Sequence, residues 1–382
     1  MKITIFPALN GDCILIEYDE SHCMLIDGGY VDTYNLHLVP VLSDLASKGK
    51  VIDLLVVTHI DSDHISGIVK LLSDTPNLIP IKEIWYNGYR HIQCIVSVSN
   101  DEETIVHKEI CRSTISDETR SISAKQGCTL SALIQRCGLF WNGQFNGNAV
   151  IAPATVTIGN ASIHVLSPEE KGLSNLCAYW RKELIKKGLL PQKHSMEFWD
   201  DAFEFMMAKD KPAFHFHIKK IDATTDIEKI KQVKYIPDLS ATNGSSISFV
   251  LECEGKRLLL LGDAHAETIV TSLKYLNAKK QLPLSFDAIK LSHHGSFNNN
   301  SPELLRIIDS ENWIVSTNGG TYNHPDLETL VHVFTIDKNK QRRIFFNYDL
   351  PVCNRIDLPE YHDEYHFSVV SKKDGTPLTI NL

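Results

Sequence analysis

The sequence predicts a mixed α/β fold built as two similar halves around one core. Three features point there. The strand, loop and helix order of the first third recurs in the last third. Val51 to Thr58 and Leu258 to Leu261 are nearly continuous apolar runs, the mark of strands buried on both faces. Each run leads directly into a loop carrying His or Asp. With 382 residues, 43% hydrophobic and 22% charged, the chain has room for two or three domains of about 150 residues, or for one large elaborated domain. Those fractions match globular averages and exclude disordered, collagen-like and coiled-coil classes.

Taken in order, Ile3 to Phe6, Cys13 to Tyr18 and Cys23 to Ile26 are short apolar and β-branched runs. Asn10-Gly11-Asp12 and Asp19-Glu20-Ser21 separate them as turns, so a meander closes at Asp27-Gly28-Gly29. Leu36 to Ala46 has helical spacing, Val51 to Thr58 is the buried strand, Ile65 to Leu72 resumes helical spacing and Ile81 to Tyr86 is a further strand. From Gly88 to Ala149 the pattern loosens, and residues 88–150 are expected to be irregular or an insertion. Thr155 to Ile158 and Ser162 to Leu166 predict a hairpin across Gly159-Asn160. Residues 169–240 form a second expected insertion, helical in character. Lys209 to Lys234 holds seven lysines against four acids, and Arg181, Lys182, Lys186, Lys187 and Lys193 make another basic cluster. Such runs are either solvated helix faces or surfaces turned to a substrate or partner. Ser246 to Glu252 and Arg257 to Leu261 form a second hairpin, followed by a helix over Glu267 to Leu276 and a short buried strand over Ala288 to Leu291. A helix from Pro302, a strand over Trp313 to Ser316 and a helix from Asp326 complete the second half.

A run of about 18 apolar residues is absent, which argues against a membrane span. Met1 to Pro7 lacks the pattern of a secretory signal, and a cytoplasmic setting is expected. The nine cysteines contain no CxxC pair, so neither a disulfide framework nor a thiolate zinc site fits. A net charge of −9 does not advertise nucleic-acid binding, although a bound metal inverts the local field.

Chemistry concentrates in Thr58-His59-Ile60-Asp61-Ser62-Asp63-His64, where a buried strand ends and a helix begins. His59, Asp61 and Asp63 alternate along an extended loop while His64 turns in from the helix start, and all four can ligate a metal. Mixed imidazole and carboxylate donors without sulfur suit zinc, manganese or iron. Helix capping accounts for one Asp and for neither His. Asp263 ends four leucines, where an unpaired carboxylate needs a metal or a helix dipole to compensate for burial. His293 and His294 also follow a buried strand; adjacent residues on an extended chain point to opposite sides, so one ligates while the other reaches substrate. The Gly295-Ser296 turn offers backbone N–H groups to an anion. Asp27 either orients a ligand from behind or shapes a turn. His324, before Pro325, is an anion contact or a plain loop histidine.

These residues resemble the metallo-β-lactamase fold. Asp12 to Ile16, Leu25 to Gly29, His59 to His64, Leu258 to Asp263, His293 to Ser296 and the Asn318 to Pro325 loop occur in that family's order. Within it they look like the hydrolase domain of ComEC-type DNA-uptake proteins. The resemblance implies one domain over 1–382 with insertions, folded as an αββα sandwich of two facing mixed β-sheets flanked by helices, with a two-metal site at the sheet edges. It places His59 and Asp61 on one ion, Asp63, His64 and His294 on the other, and Asp263 between them. Asp61 stands where many relatives have His, which suits the harder ions Mn²⁺ and Mg²⁺ alongside Zn²⁺. The family's middle His ligand has no evident counterpart: His164 lies in a strand and reads as packing, leaving His215 and His217.

The activity expected from the resemblance is two-metal phosphodiester hydrolysis, with DNA as the substrate. Asp63, His293 and His324 serve catalysis. The competing expectations are a small-molecule hydrolase acting on a cyclic nucleotide, a phosphorylcholine ester or a lactam or lactone, and a non-catalytic metal-containing protein whose insertions dock a protein partner.

Overall fold

The computed structural model describes residues 1–74, 78–93, 129–186, 196–209, 226–320 and 322–382. His215, His217 and most of the Lys209 to Lys234 run lie outside these residues.

Among the described residues two large sheets carry the architecture. The first contains β1 (Lys2–Ile5), β2 (Ile14–Glu17), β3 (His22–Ile26), β4 (Val51–Val56), β5 (Ile81–Trp85) and β6 (Phe140–Trp141). The second contains β7 (Ala154–Ile158), β8 (Ala161–Ser167), β9 (Ser248–Cys253) and β10 (Lys256–Leu260). Beyond the short β11 (Ser285–Phe286) it continues with β12 (Ala288–Lys290), and beyond β13 (Asp309–Ser310) with β14 (Asn312–Val315), β15 (Arg342–Phe346) and β16 (Phe367–Ser371). The last strand, β17 (Leu378–Asn381), returns to the first sheet beside β1. Strand order is β17-β1-β2-β3-β4-β5-β6 in one sheet and β16-β15-β14-β12-β10-β9-β8-β7 in the other. Each is antiparallel at one end and parallel at the other, which is the repeated half visible in the sequence.

Side-chain parity shows why these runs become central strands. In β4, Leu55 enters a core formed with the outer helices while Leu54 and Val56 enter the core between the sheets; Ile52 joins the helix side because the pairing with β3 shifts register at Asp53. The four leucines of β10 and its end divide the same way: Leu258 and Leu260 face the other sheet, and Leu259 and Leu261 face the helices on the far side. Alternation on a pleated strand sends successive side chains to opposite faces, so a strand covered on both sides must be apolar throughout. Three cores therefore separate four layers, helix, sheet, sheet and helix. Each fully buried Leu, Ile or Val contributes roughly 1.5–3 kcal/mol.

The described residues of the 88–150 stretch hold more order than their composition suggests. Helices Tyr89–Gln93 and Leu130–Arg136 pack into the first core, and Phe140–Trp141 pairs with β5 at the sheet edge. These elements are too short for a periodicity window, and a side chain from elsewhere closes one of them: Glu204, on helix Met196–Lys209, accepts from the backbone N–H groups of Leu130 (2.5 Å) and Ser131 (2.9 Å).

Candidate metal centre

Most predicted site residues among the described ones sit at or beyond a strand end on one edge of the sandwich: Asp27 after β3, His59 to His64 after β4, Asp263 after β10 and His293–His294 after β12, while His324 comes from the longer loop between β14 and helix Leu327–Thr335. Parallel sheets place functional loops at the carboxyl ends of their strands. Two glycines permit the close packing. A Cβ on Gly11 would stand 1.9 Å from the carbonyl oxygen of Asp63, and one on Gly67 would stand 2.0 Å from that of Gly28. The turn before β2 and the turn after β3 thus lie directly against helix Ser62–Asp74, whose first turn carries Asp63 and His64.

Asp27 is completely buried and collects three donors: Thr58 N–H (2.8 Å), Thr58 Oγ1 (2.7 Å) and His64 Nδ1 (2.7 Å). Because the Thr58 hydroxyl gives its proton to Asp27, it accepts from His59 Nδ1 at 3.0 Å. One carboxylate therefore orients both imidazoles. His294 donates from Nδ1 to the Ser316 carbonyl, and His293 donates from Nδ1 to Asn299 Oδ1, both at 2.8 Å. With Nδ1 committed, all four rings turn Nε2 to one atom, Asp263 Oδ2, at 3.8 Å (His59), 3.5 Å (His64), 3.8 Å (His293) and 3.7 Å (His294). Asp61 Oδ2 lies 3.6 Å from His59 Nε2. Asp63 Oδ2 accepts from Asn10 Nδ2 at 2.7 Å.

The two neighbouring histidines do not lie on an extended chain, as alternation had suggested. Both His293 (φ 44°) and His294 (φ 57°) adopt the left-handed conformation inside a tight turn, a costly backbone for non-glycine residues. The turn separates their roles more sharply than alternation would: His294 is 2% exposed and joins Asp63 and His64 as a potential ligand group, whereas His293 lines the mouth. The Ser296 N–H of the expected anion turn is already given to the His293 carbonyl (2.9 Å). At the mouth the His293 and His324 rings are 5.3 Å apart, and Tyr322 lies 6.4 Å from His293 and 6.0 Å from His324.

Charge in the cluster follows the geometry. Burial opposes ionisation of Asp263, yet His294, His64 and His293 outweigh it and hold its pKa well below the usual carboxylate range. Burial likewise disfavours a proton on His64, and Asp263 and Asp27 overcome it, raising its pKa well above the ordinary value. Asp63 is pushed up to about 6 by burial and by the nearby Asp61 and Asp263. His294 is driven down to about 3 by burial.

The residues fit divalent ions. His59 Nε2, His64 Nε2, His294 Nε2 and Asp263 Oδ1 are buried without any hydrogen-bond partner. Three orphaned imidazole nitrogens around one carboxylate, itself with an orphaned oxygen, would each cost a few kcal/mol unless a cation occupied the space between them. His59, His64 and Asp263 form one ligand group and Asp63, His64 and His294 another, the potential ligand atoms within each lying no more than 4.8 Å apart. His164 is elsewhere, bonded to Glu252 (3.0 Å) and Thr155 (3.1 Å) on the sheet. Three participants escaped the sequence reading as site residues: Asp12, Asn299 and Lys290. Asp12 looked like part of an Asn-Gly-Asp turn, and Lys290 sits at the end of a strand where a buried lysine has no local signature.

Residues 7–89 match the Metallo-beta-lactamase superfamily. Over 79 residues the chain is 34% identical to hydroxyacylglutathione hydrolase of Aliivibrio salmonicida, and over 79 residues it is 33% identical to the enzyme of that name from Photobacterium profundum. In both cases the match takes in 20% of this chain and 29% of the relative, so the chain spans under a third of the length of these curated relatives. Among solved structures, CmlA, a diiron beta-hydroxylase from Streptomyces venezuelae, aligns at TM-score 0.42 and 10% identity over 100% of this chain and 54% of that one, a likeness too remote to carry an argument. The matched segment contains Asp12, Asp27 and the whole His59 to His64 motif, so the chain's likeness to that superfamily lies over residues 7–89, and the four-layered sandwich around them is consistent with its fold.

Proposed function

We propose that the protein is a metal-dependent hydrolase of phosphodiester bonds, with DNA as its leading substrate. The observation that carries this reading is the pairing of a carboxylate-rich ligand set with two imidazoles, His293 and His324, side by side at the mouth. His59, Asp61 and Asp263 would hold one divalent ion, and Asp63, His64, His294 and the same Asp263 the other. Such ions supply a water acidic enough to attack near neutral pH and positive charge for phosphoryl oxygens. Asp27 fixes His59 and His64 so that both present Nε2. His293, steadied through Nδ1 by Asn299, gives a proton from Nε2 to the leaving oxygen, and His324 hydrogen-bonds a non-bridging oxygen. The resemblance to the ComEC-type hydrolase domain supports DNA, and Asp61 in place of a histidine supports Mn²⁺ or Mg²⁺ beside Zn²⁺.

A second reading is thioester hydrolysis, favoured by the relatives' name, hydroxyacylglutathione hydrolase. The test assays supercoiled plasmid, linear DNA, a chromogenic phosphodiester and a hydroxyacylglutathione thioester with Mn²⁺, Zn²⁺ and Mg²⁺, beside Asp63→Asn. DNA cleavage by wild type alone, falling steeply with salt, supports the nuclease. Turnover of the thioester alone replaces it with the second reading, and turnover of the small diester alone narrows it to a small-molecule phosphodiesterase.

A further inference from the structure

Asp12 and Lys290 are 2% and 1% exposed, 278 residues apart in sequence, and joined by an ion pair between Lys290 Nζ and Asp12 Oδ2. Asp12 precedes β2 in the first sheet and Lys290 ends β12 in the second, so the pair ties the two sheets together beneath the site. The other carboxylate oxygen, Asp12 Oδ1, is buried with no hydrogen-bond partner and lies 3.6 Å from His294 Nδ1. Asp12 belongs to two potential ligand groups, one with Asp263 and His294 and one with Asp27 and His64.

Two charges taken out of water rarely repay their desolvation, and a well-packed apolar pair would serve stability as well or better. A purely structural clasp would also leave no carboxylate oxygen unpaired. Both oddities resolve if the charge faces the ions. We infer that Asp12 and Lys290 are positioning residues for the second ion: the Asp12 carboxylate faces His294 Nδ1 at 3.6 Å beside the Ser316 carbonyl that accepts its proton, and Lys290 holds Asp12 in place and balances its charge. The cluster contains five carboxylates, Asp12, Asp27, Asp61, Asp63 and Asp263, and two divalent ions leave one negative charge over, which the Lys290 ammonium cancels. This inference rests on the two-ion reading above. It assigns to Asp12 and Lys290 a task that neither the ligand motif nor the sheet pairing demands.

The experiment titrates metal-free protein with Zn²⁺ by calorimetry. It compares wild type with Asp12→Asn and with the paired variant Asp12→Asn/Lys290→Gln, whose two amides can hydrogen-bond in place of the ion pair. The paired variant should melt like wild type when metal-free, keep its first binding constant within about twofold and lose about tenfold in the second, the range seen when groups behind metal ligands are removed. Asp12→Asn alone, which leaves a buried ammonium beside the site, should lose more, and it carries the test if the paired variant does not fold. Two binding constants equal to wild type in the variants overturn the inference while leaving the metal reading intact. A wild-type protein that binds no Zn²⁺ overturns the metal reading itself.

Discussion

Two buried acidic clusters in this molecule have opposite characters. On the outer side of the first sheet, Asp200 receives the Arg90 backbone N–H (3.0 Å) and Nε (2.7 Å), and Glu204 receives Leu130 N–H, Ser131 N–H and the Ser131 hydroxyl. Thr129 donates to Asp201. At the strand ends, by contrast, Asp12 Oδ1 and Asp263 Oδ1 have no donor, and three imidazole Nε2 atoms point at carboxylates across gaps of 3.5–3.8 Å. Burial is similar, yet one cluster is closed by hydrogen bonds to the fold and the other is left open. The difference teaches that acidity and burial do not mark a site; unsatisfied donors and acceptors converging on one point do.

The largest expected effect separates the clusters by activity. Asp63→Asn should retain the fold but lose hydrolysis by more than about a hundredfold, beyond the 10–100-fold typical of groups behind a metal ligand. Its metal content, read by elemental analysis, should drop in step; an unchanged metal content and rate would erase the distinction between the two clusters.

Next, the closed cluster should speak through pH rather than activity. Burial lifts the Glu204 carboxyl from 4.5 to about 8, against the donors that hold it. The folded state then keeps a proton that the unfolded chain has released, so this contribution is full below about pH 4.5 and is lost as pH rises toward 8. The slope is on the order of 1 kcal/mol per pH unit. Glu204→Gln should flatten that decline in urea midpoints taken at pH 5, 6.5 and 8, and a variant as pH-sensitive as wild type would refute it.

Arg90→Ala removes the cation from Asp200 and should cost about 2 kcal/mol, less than the 3–5 of a fully buried pair because the Arg90 side chain is 27% exposed. Zn²⁺ binding should not change, and a loss of metal would show that the clusters are coupled. The smallest effect belongs to His164→Gln, which breaks a partly exposed pair with Glu252 and should shift stability by less than about 1 kcal/mol with activity intact. A loss of metal there would overturn the reading of His164 as a packing residue.

Much of this was legible in the chain. Val51 to Thr58 and Leu258 to Leu261 announced strands covered on both faces, because side-chain alternation forces such strands to be apolar throughout. His59, Asp61, Asp63 and His64 were legible because seven consecutive residues hold four potential ligands. The short helix Leu130–Arg136 and the edge strand Phe140–Trp141 were not, since neither is long enough to show a period and the first depends on Glu204 for its N-terminus. The return of Leu378–Asn381 to pair with Lys2–Ile5 was equally hidden, because register between chain ends has no local signal.

The sequence by itself determined the buried central strands and the His- and Asp-bearing loops that follow them, since strand period and clustered polar residues are local properties of neighbouring residues; the sandwich was expected from the family resemblance. Tertiary structure alone decided that four Nε2 atoms meet at Asp263 Oδ2, that two adjacent histidines separate through left-handed turns, and that Asp12 finds Lys290. Those outcomes depend on two sheets meeting at one edge, and the energy of a buried charge is set by whatever the distant chain brings within a few ångströms of it.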